Sequence, residues 1–301
     1  MDSAITHARQ QTLGDLPRRS ALRFPDKEAI IDGETRLTFA QFDERVDRMA
    51  AAMAAAGLKK GDALALLSHN CWQYPTIAFA TARLGVILVP INFMLGAGEI
   101  AYILNHSESV ALVAEDALVD VAESALNQAN GHVHLKATIS LAGADVSADW
   151  LDVDTWAVHE RTPLPDVTIH DDDPLRLMYT SGTESRPKGA MLSSRSLMWQ
   201  YTSCIVTGGM ESSDVEVHAM PLYHCAQLDN FLSTDIFLGA TSVILRRPDP
   251  AELLKTIEAE KVTNLFGPPT IWISLLNAPE FENADISSLK KGYYGASAMP
   301  V

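Results

Sequence analysis

Cysteine is scarce in this chain: three residues, Cys71, Cys204 and Cys225, in a length of 301. An odd number without metal-type spacing excludes a fully paired disulfide framework and points to a reducing, cytoplasmic setting. Positive charge is also in short supply. Lys and Arg total 23 against 38 Asp and Glu, for a formal net charge of −15. That balance argues against an extended nucleic-acid or anionic-membrane surface, so any anionic ligand needs locally placed cations. Long hydrophobic runs are missing as well. The most apolar tract, residues 77–90, is broken by Thr81, Arg83 and Gly85, and the first twenty residues have no apolar core. No segment is long enough to span a bilayer, which leaves a protein without a transmembrane segment. Neither G-x4-G-K-S/T nor G-x-G-x-x-G occurs, which sets aside a P-loop NTPase or a dinucleotide dehydrogenase. No repeat of solenoid length is present.

What is there reads as an ordinary globular chain, 47% hydrophobic and 20% charged. Thr38 and Gln41 have capping-box spacing, followed at helical intervals by Phe42, Val46, Met49 and Met53, with Gly57 as the stop. Strands are expected at 63–67, 86–90, 110–114 and 135–140, with helices at 72–84, 98–105 and 116–128 between them. Pro75 suits the first turn of the second helix. Such alternation predicts an α/β fold of two successive parallel-rich sheets flanked by helices. From 141 to 173 Asp, Pro and Ser accumulate, and the stretch reads as a surface linker. Asp171, Asp172 and Asp173 at its end read as a solvated charge run. Residues 1–170 then form a first α/β half with its linker, and 171–301 a second. In the second half, strands are expected at 175–179, 215–220, 241–245, 264–267 and 291–295. Helices are expected at 194–206, 227–238, 249–260 and 268–277.

The chemistry concentrates in residues 179–189, YTSGTESRPKG. After a short apolar strand this stretch sets three hydroxyls (Thr180, Ser181, Thr183), two glycines (Gly182, Gly189), Arg186 and Lys188. Ala190, Met191, Leu192 and a helix-like segment follow. A loop of this composition can turn tightly, aim backbone N–H groups inward and add cations, which is what a polyphosphate demands. The bland alternative is a flexible strand-to-helix connection.

The stretch resembles the phosphate loop of the AMP-forming acyl-CoA synthetase and ligase family, Y-T-S-G-T-T-G-x-P-K-G. Tyr179, Thr180, Ser181, Gly182, Thr183, Pro187, Lys188 and Gly189 match; Glu184 and Ser185 stand in place of threonine and glycine, a form similar to the fatty-acyl branch. Pro221, Leu222, Tyr223 and His224 resemble the family's P-L-[FY]-H motif, and Tyr293 to Ser297 resemble the start of its adenine-binding stretch. The resemblance implies that Thr180, Ser181, Gly182, Thr183, Glu184, Lys188 and Gly189 hold ATP phosphates. It implies Gly295, Ala296 and Ser297 against adenine, Tyr223 as a wall of the acyl pocket and His224 orienting the substrate carboxylate. Cys225 reads as a small buried residue and not a nucleophile. The implied activity is formation of an acyl-adenylate from ATP and a carboxylic acid, medium- or long-chain, followed by transfer to coenzyme A. Mg2+ is implied too, with its ligand expected beyond Val301. The family's lid and its catalytic lysine are also expected beyond that point, so the chain resembles a truncated N-terminal domain, inactive or nearly so alone. A noncatalytic nucleotide- or acyl-binding protein on the same scaffold is the alternative.

Overall fold

The computed structural model describes residues 12–158, 163–180 and 187–298. Its strands, in chain order, are β1 (Glu28–Asp32), β2 (Thr35–Thr38), β3 (Ala63–Leu67), β4 (Ile87–Ile91), β5 (Ser109–Glu115), β6 (Leu135–Ile139) and β7 (Leu151–Asp152). They continue with β8 (Pro174–Thr180), β9 (Lys188–Ser193), β10 (Val215–His218), β11 (Thr241–Ile244), β12 (Asn264–Gly267) and β13 (Lys291–Tyr294). Local signals account for many boundaries. Thr38 and Gln41 do cap helix Phe39–Ala55: the Thr38 N–H donates to Gln41 Oε1 at 2.9 Å and the Gln41 N–H to Thr38 Oγ1 at 3.3 Å. Gly57 follows at φ +95°, a left-handed stop that glycine adopts without strain. Asp249 caps helix Pro250–Glu260 through the Glu252 N–H.

The chain divides into two compact units, each carrying one sheet. In the first (Asp43–His69 and Gln73–Trp199, with the residues up to Leu16) the strand order is β7-β6-β5-β3-β4-β8-β9. All pairs are parallel except β8–β9. Every residue of β3 is buried, as expected for a central strand covered on both faces. Helix Ala97–His106 turns Ile100, Ala101, Ile103 and Leu104 inward at the i, i+3, i+4 spacing that makes one apolar face. Each large aliphatic buried here contributes roughly 1.5–3 kcal/mol relative to exposure. Gly14 lies so close to the backbone of Arg83 that a Cβ would meet it at 2.6 Å.

The second unit (Pro17–Phe42, Asn70–Trp72 and Gln200–Val301) has the order β13-β12-β10-β11-β1-β2, parallel except for the β1–β2 hairpin, which turns at Gly33. Val217, Val243, Leu253, Leu254, Ile257 and Leu265 form the centre of its core.

Two parallel-rich sheets flanked by helices are thus present, but they are not successive along the chain. An N-terminal hairpin, for which the sequence pattern raised no expectation, completes the second sheet, because Ile30 and Ile31 pair with Ser242 and Val243. The strand leading into the 179–189 stretch, expected to open the second half, pairs with β4 in the first sheet. A division at 170/171 therefore differs from the observed grouping, in which the first unit runs on to Trp199. The expected linker carries β7 and helix Val153–Trp156, whose N-cap is Asp152. The linker's start is anchored from outside it: the Asp116 carboxylate accepts the N–H groups of Leu141, Ala142 and Ala144. The Asp171–Asp173 run is also tied down, with Asp172 on Arg195 at 2.8 Å and Asp173 on Lys60 at 2.6 Å.

Candidate functional site

Ser181, Gly182, Thr183 and Glu184 lie outside the described residues, as do Ser185 and Arg186. The stems on either side are well defined. β8 and β9 pair antiparallel, with Tyr179 opposite Gly189 and Thr180 opposite Lys188. The described residues on either side are thus paired strands at the edge of the sheet, and β9 intervenes before helix Ser194–Gly208. Thr180 and Lys188 are both exposed, a hydroxyl and an ammonium on facing stems. A Cβ on Gly189 would stand 2.9 Å from Leu177 Cδ1 and 3.3 Å from Tyr179 Cζ. Glycine lets the facing strand's side chains close over this stem.

Helix Ala97–His106 braces both stems, a feature no motif announced. Tyr102 donates its hydroxyl to the Pro187 carbonyl at 3.1 Å, and His106 Nδ1 lies 2.7 Å from the Tyr179 hydroxyl. The two helix residues are one turn apart and their rings stack, with centroids 5.4 Å apart. Burial, with Tyr102 nearby, pushes the Tyr179 phenol up to about 12, so it stays a neutral hydrogen-bonding group at physiological pH.

In the second unit the remaining expected residues follow the carboxyl ends of parallel strands, where open α/β sheets bind ligands. After β10 the chain turns at Pro221, whose carbonyl accepts the His224 N–H at 3.1 Å. Tyr223 is half-buried and His224 exposed, with ring centroids 5.7 Å apart. Burial raises the Tyr223 phenol above its ordinary value. Cys225 is exposed, contrary to the sequence expectation, because the turn carries it outward. Partial burial and then Asp229 raise its thiol, which keeps it a poor nucleophile. After β13 come Gly295, Ala296 and Ser297. Ala296 adopts φ +67°, a left-handed conformation that a non-glycine residue enters at a cost. Gly295 leaves its space against the Phe266 ring, which a Cβ would meet at 3.5 Å. Phe231 stacks on Phe266 at 4.4 Å and leans on Tyr293 at 5.3 Å, giving this end of the sheet an aromatic slab. The described parts of the expected nucleotide and acyl elements thus fall in two places: Thr180, Lys188 and Gly189 on the hairpin of the first unit, and Tyr223, His224, Gly295, Ala296 and Ser297 in the second.

Two buried amides escaped the sequence reading because neither belongs to a motif. Asn70 donates to the carbonyls of Met220 at 2.9 Å, Leu245 at 3.0 Å and His218 at 3.3 Å, and accepts the Leu222 N–H at 2.8 Å. Gln227 accepts the Met220 N–H at 3.2 Å and donates to His218 Nδ1 at 2.6 Å.

Beneath the turn runs a polar row across the sheet. Lys291, Asn264, Glu216 and Ser242 are register partners on β13, β12, β10 and β11. Neither Glu216 oxygen accepts a well-formed hydrogen bond, though Asn264 lies nearby. Burial and repulsion from Asp235 and Asp214 push Glu216 well above the carboxylate range, so it is a neutral acid. Burial likewise raises Asp235, against the His218 hydrogen bond that favours its charge. Asp214 goes the other way. Burial is outweighed there by Lys291, 2.7 Å away, and by the Glu211 N–H, and its pKa falls. Among the described residues Glu216, His218 and Asp235 offer ligand atoms within 4.8 Å of one another, a donor set a divalent cation could take. The hydrogen bonds commit the imidazole otherwise. With Gln227 Oε1 held by Met220, its amide donates to Nδ1, which leaves Nε2–H to donate to Asp235 Oδ2 at 3.0 Å. The trio is arranged around protons.

The chain matches the AMP-binding enzyme family over residues 17–301. A feruloyl-CoA synthase of Amycolatopsis sp. is 34% identical over 292 residues, which cover 97% of this chain and 56% of that protein. The mitochondrial medium-chain acyl-CoA ligase ACSF2 of Rattus norvegicus is 29% identical, with 98% and 52% covered. The chain thus spans about half the length of these curated relatives. Among solved structures, the inhibitor-bound N-terminal domain of FACL13 from Mycobacterium tuberculosis superposes with a TM-score of 0.87 at 26% identity, covering 97% of this chain and 71% of that one. The family match takes in both sheets, the hairpin stems and the turn at His224, and on that ground the chain belongs to the AMP-binding enzyme family.

Proposed function

We propose that this chain is the ATP- and carboxylate-binding part of an AMP-forming acid–thiol ligase. The observation that carries the reading is the β8–β9 hairpin, which sets Thr180 opposite Lys188 at its open end under the brace of Tyr102 and His106. Hydroxyl and ammonium groups suit phosphate oxygens. The described stems offer no carboxylate for Mg2+, which when bound would neutralise triphosphate charge. In the proposed reaction a carboxylate oxygen attacks the α-phosphorus of ATP, and the bond to the leaving pyrophosphate breaks. The coenzyme A thiolate then attacks the acyl carbonyl and AMP leaves. Lys188 and Thr180 hold and steady the phosphate charge, and His224 orients the carboxylate. Gly295, Ala296 and Ser297 give the adenine a flat approach.

The acid is proposed to be apolar. The sequence favours a medium- or long-chain fatty acid, and the slab of Phe231, Phe266 and Tyr293 equally offers flat faces to an aromatic acid. Relatives described as acting on both kinds support that breadth. Calorimetric titration with nonhydrolysable acyl-sulfamoyl adenosines, one aryl and one medium-chain, tests the reading. Saturable binding of either, competed by ATP, is expected. Failure of both to bind contradicts it.

A further inference from the structure

Asn70 uses both the amide nitrogen and the oxygen of its side chain to bind backbone. Its side chain is nearly inaccessible, 3% exposed, and ties together the end of β10, the residues leading to Tyr223, and Leu245 after β11. An amide has two N–H donors and one oxygen acceptor, and three carbonyls share the two donors here. Gln227 works from the other side of the same segment. It grips Met220 through its oxygen, and its amide is kept in that sense by His218, which Asp235 in turn orients. Residues 218–222 are therefore fixed at His218, Met220 and Leu222 by two side chains, Asn70 from about 150 residues away and Gln227 from the segment that follows the turn. The turn that presents Tyr223 and His224 begins where those bonds end.

We propose that Asn70 and Gln227 are positioning residues for the Tyr223–His224 turn, with the Asp235–His218 pair holding Gln227 in the orientation the turn requires. The proposal rests on the functional reading above, in which His224 faces the reacting carboxylate. Its physical core, that two buried amides set the place of His224, stands apart from that reading. Nothing here needs His218 to touch substrate. It acts through Gln227.

The test uses the full 301-residue chain, labelled with 15N-histidine, as wild type, Asn70→Asp and Gln227→Glu. His224→Gln and His218→Gln assign the two ring signals. Asn70→Asp keeps the acceptor for Leu222 and removes both N–H donors. Gln227→Glu keeps the oxygen for Met220 and removes the donor to His218 Nδ1. Thermal unfolding establishes that each variant is folded. The expected result is that both shift the His224 ring resonances. Gln227→Glu should also move the His218 Nδ1 signal from the unprotonated to the protonated class. Loss of one to two buried hydrogen bonds corresponds to about tenfold weaker binding of the acyl-sulfamoyl adenosine, with ATP affinity unchanged. Lower pH, by protonating the new acid of Asn70→Asp, should restore one donor and part of that affinity relative to wild type.

Folded variants with wild-type His224 resonances and wild-type analogue affinity overturn the proposal. If the analogue does not bind even the wild type, the functional reading fails, and the His224 signals alone decide the positioning role. Should Asn70→Asp not fold, Gln227→Glu carries the same decision, since it exchanges only the amide NH2 for an oxygen on a side chain that retains its shape.

Discussion

At the scale of single residues, what surrounds a side chain decides its behaviour more than its type does. Gly14 and Gly189 both sit where a Cβ would collide. At Gly14 the obstacle is the Arg83 backbone at 2.6 Å, which cannot move without its helix. At Gly189 it is the Leu177 terminal methyl at 2.9 Å, which can rotate away. Gly14→Ala should therefore cost about 1–3 kcal/mol and Gly189→Ala distinctly less, measured by urea unfolding. Equal costs would count against this packing. Glu216 supplies a second prediction. Its pKa is raised in the folded state, so the unfolded chain releases its proton first as pH rises. Stability is then intact below the unfolded value of about 4.3 and is lost, at up to about 1.4 kcal/mol per pH unit, as pH climbs toward the folded value. Glu216→Gln cannot ionise and should match wild type near pH 4 and exceed it increasingly above pH 5. A stability difference that does not change with pH would refute a buried neutral acid.

At the scale of elements, most strands and helices were legible because their periodicity and caps are local. Asn264–Gly267 and Ala63–Leu67 are continuous apolar or near-apolar runs bounded by turn signals, and they fall where expected. The segment expected as one helix over 227–238 instead begins as a π-turned stretch, Ala226–Leu232, before Ser233–Leu238. Residue spacing alone does not separate those two windings. The β1–β2 hairpin was not legible, since its first strand earns its place only by pairing with β11 two hundred residues later. The brace on the β8–β9 stems was invisible for the same reason. Tyr102 and His106 lie on one face of a helix far from the loop in sequence, and only β8 lying beside β4 brings them to it. Removing that brace should matter to binding more than to folding. Tyr102→Phe loses one neutral hydrogen bond, about 0.5–1.5 kcal/mol, which predicts roughly threefold to tenfold weaker ATP binding by calorimetry. Unchanged affinity would mean that the loop needs no brace.

At the scale of the whole molecule, the fold class was legible in the sequence, but how the chain is shared between its sheets was not. A run of residues reads as linker when its composition is polar. Here acidic residues of that run cap a helix and pair with cations, Asp116 holds its start, and the chain crosses between units more than once. The net charge of −15 noted at the outset makes the placing of Lys188 consequential, because an anion that the fold is proposed to hold needs a local cation. No helix among the described residues is long and apolar enough to cross a membrane. The central claim is that the 179–189 hairpin holds the phosphates of ATP. Titration of the full chain with ATP against a Lys188→Ala control tests it most directly, because Lys188 is exposed and its removal leaves the core untouched. A charge-assisted contact of about 1.5–3 kcal/mol predicts roughly tenfold to hundredfold weaker binding, with the unfolding midpoint unchanged; ATP binding that is the same in both proteins would contradict it.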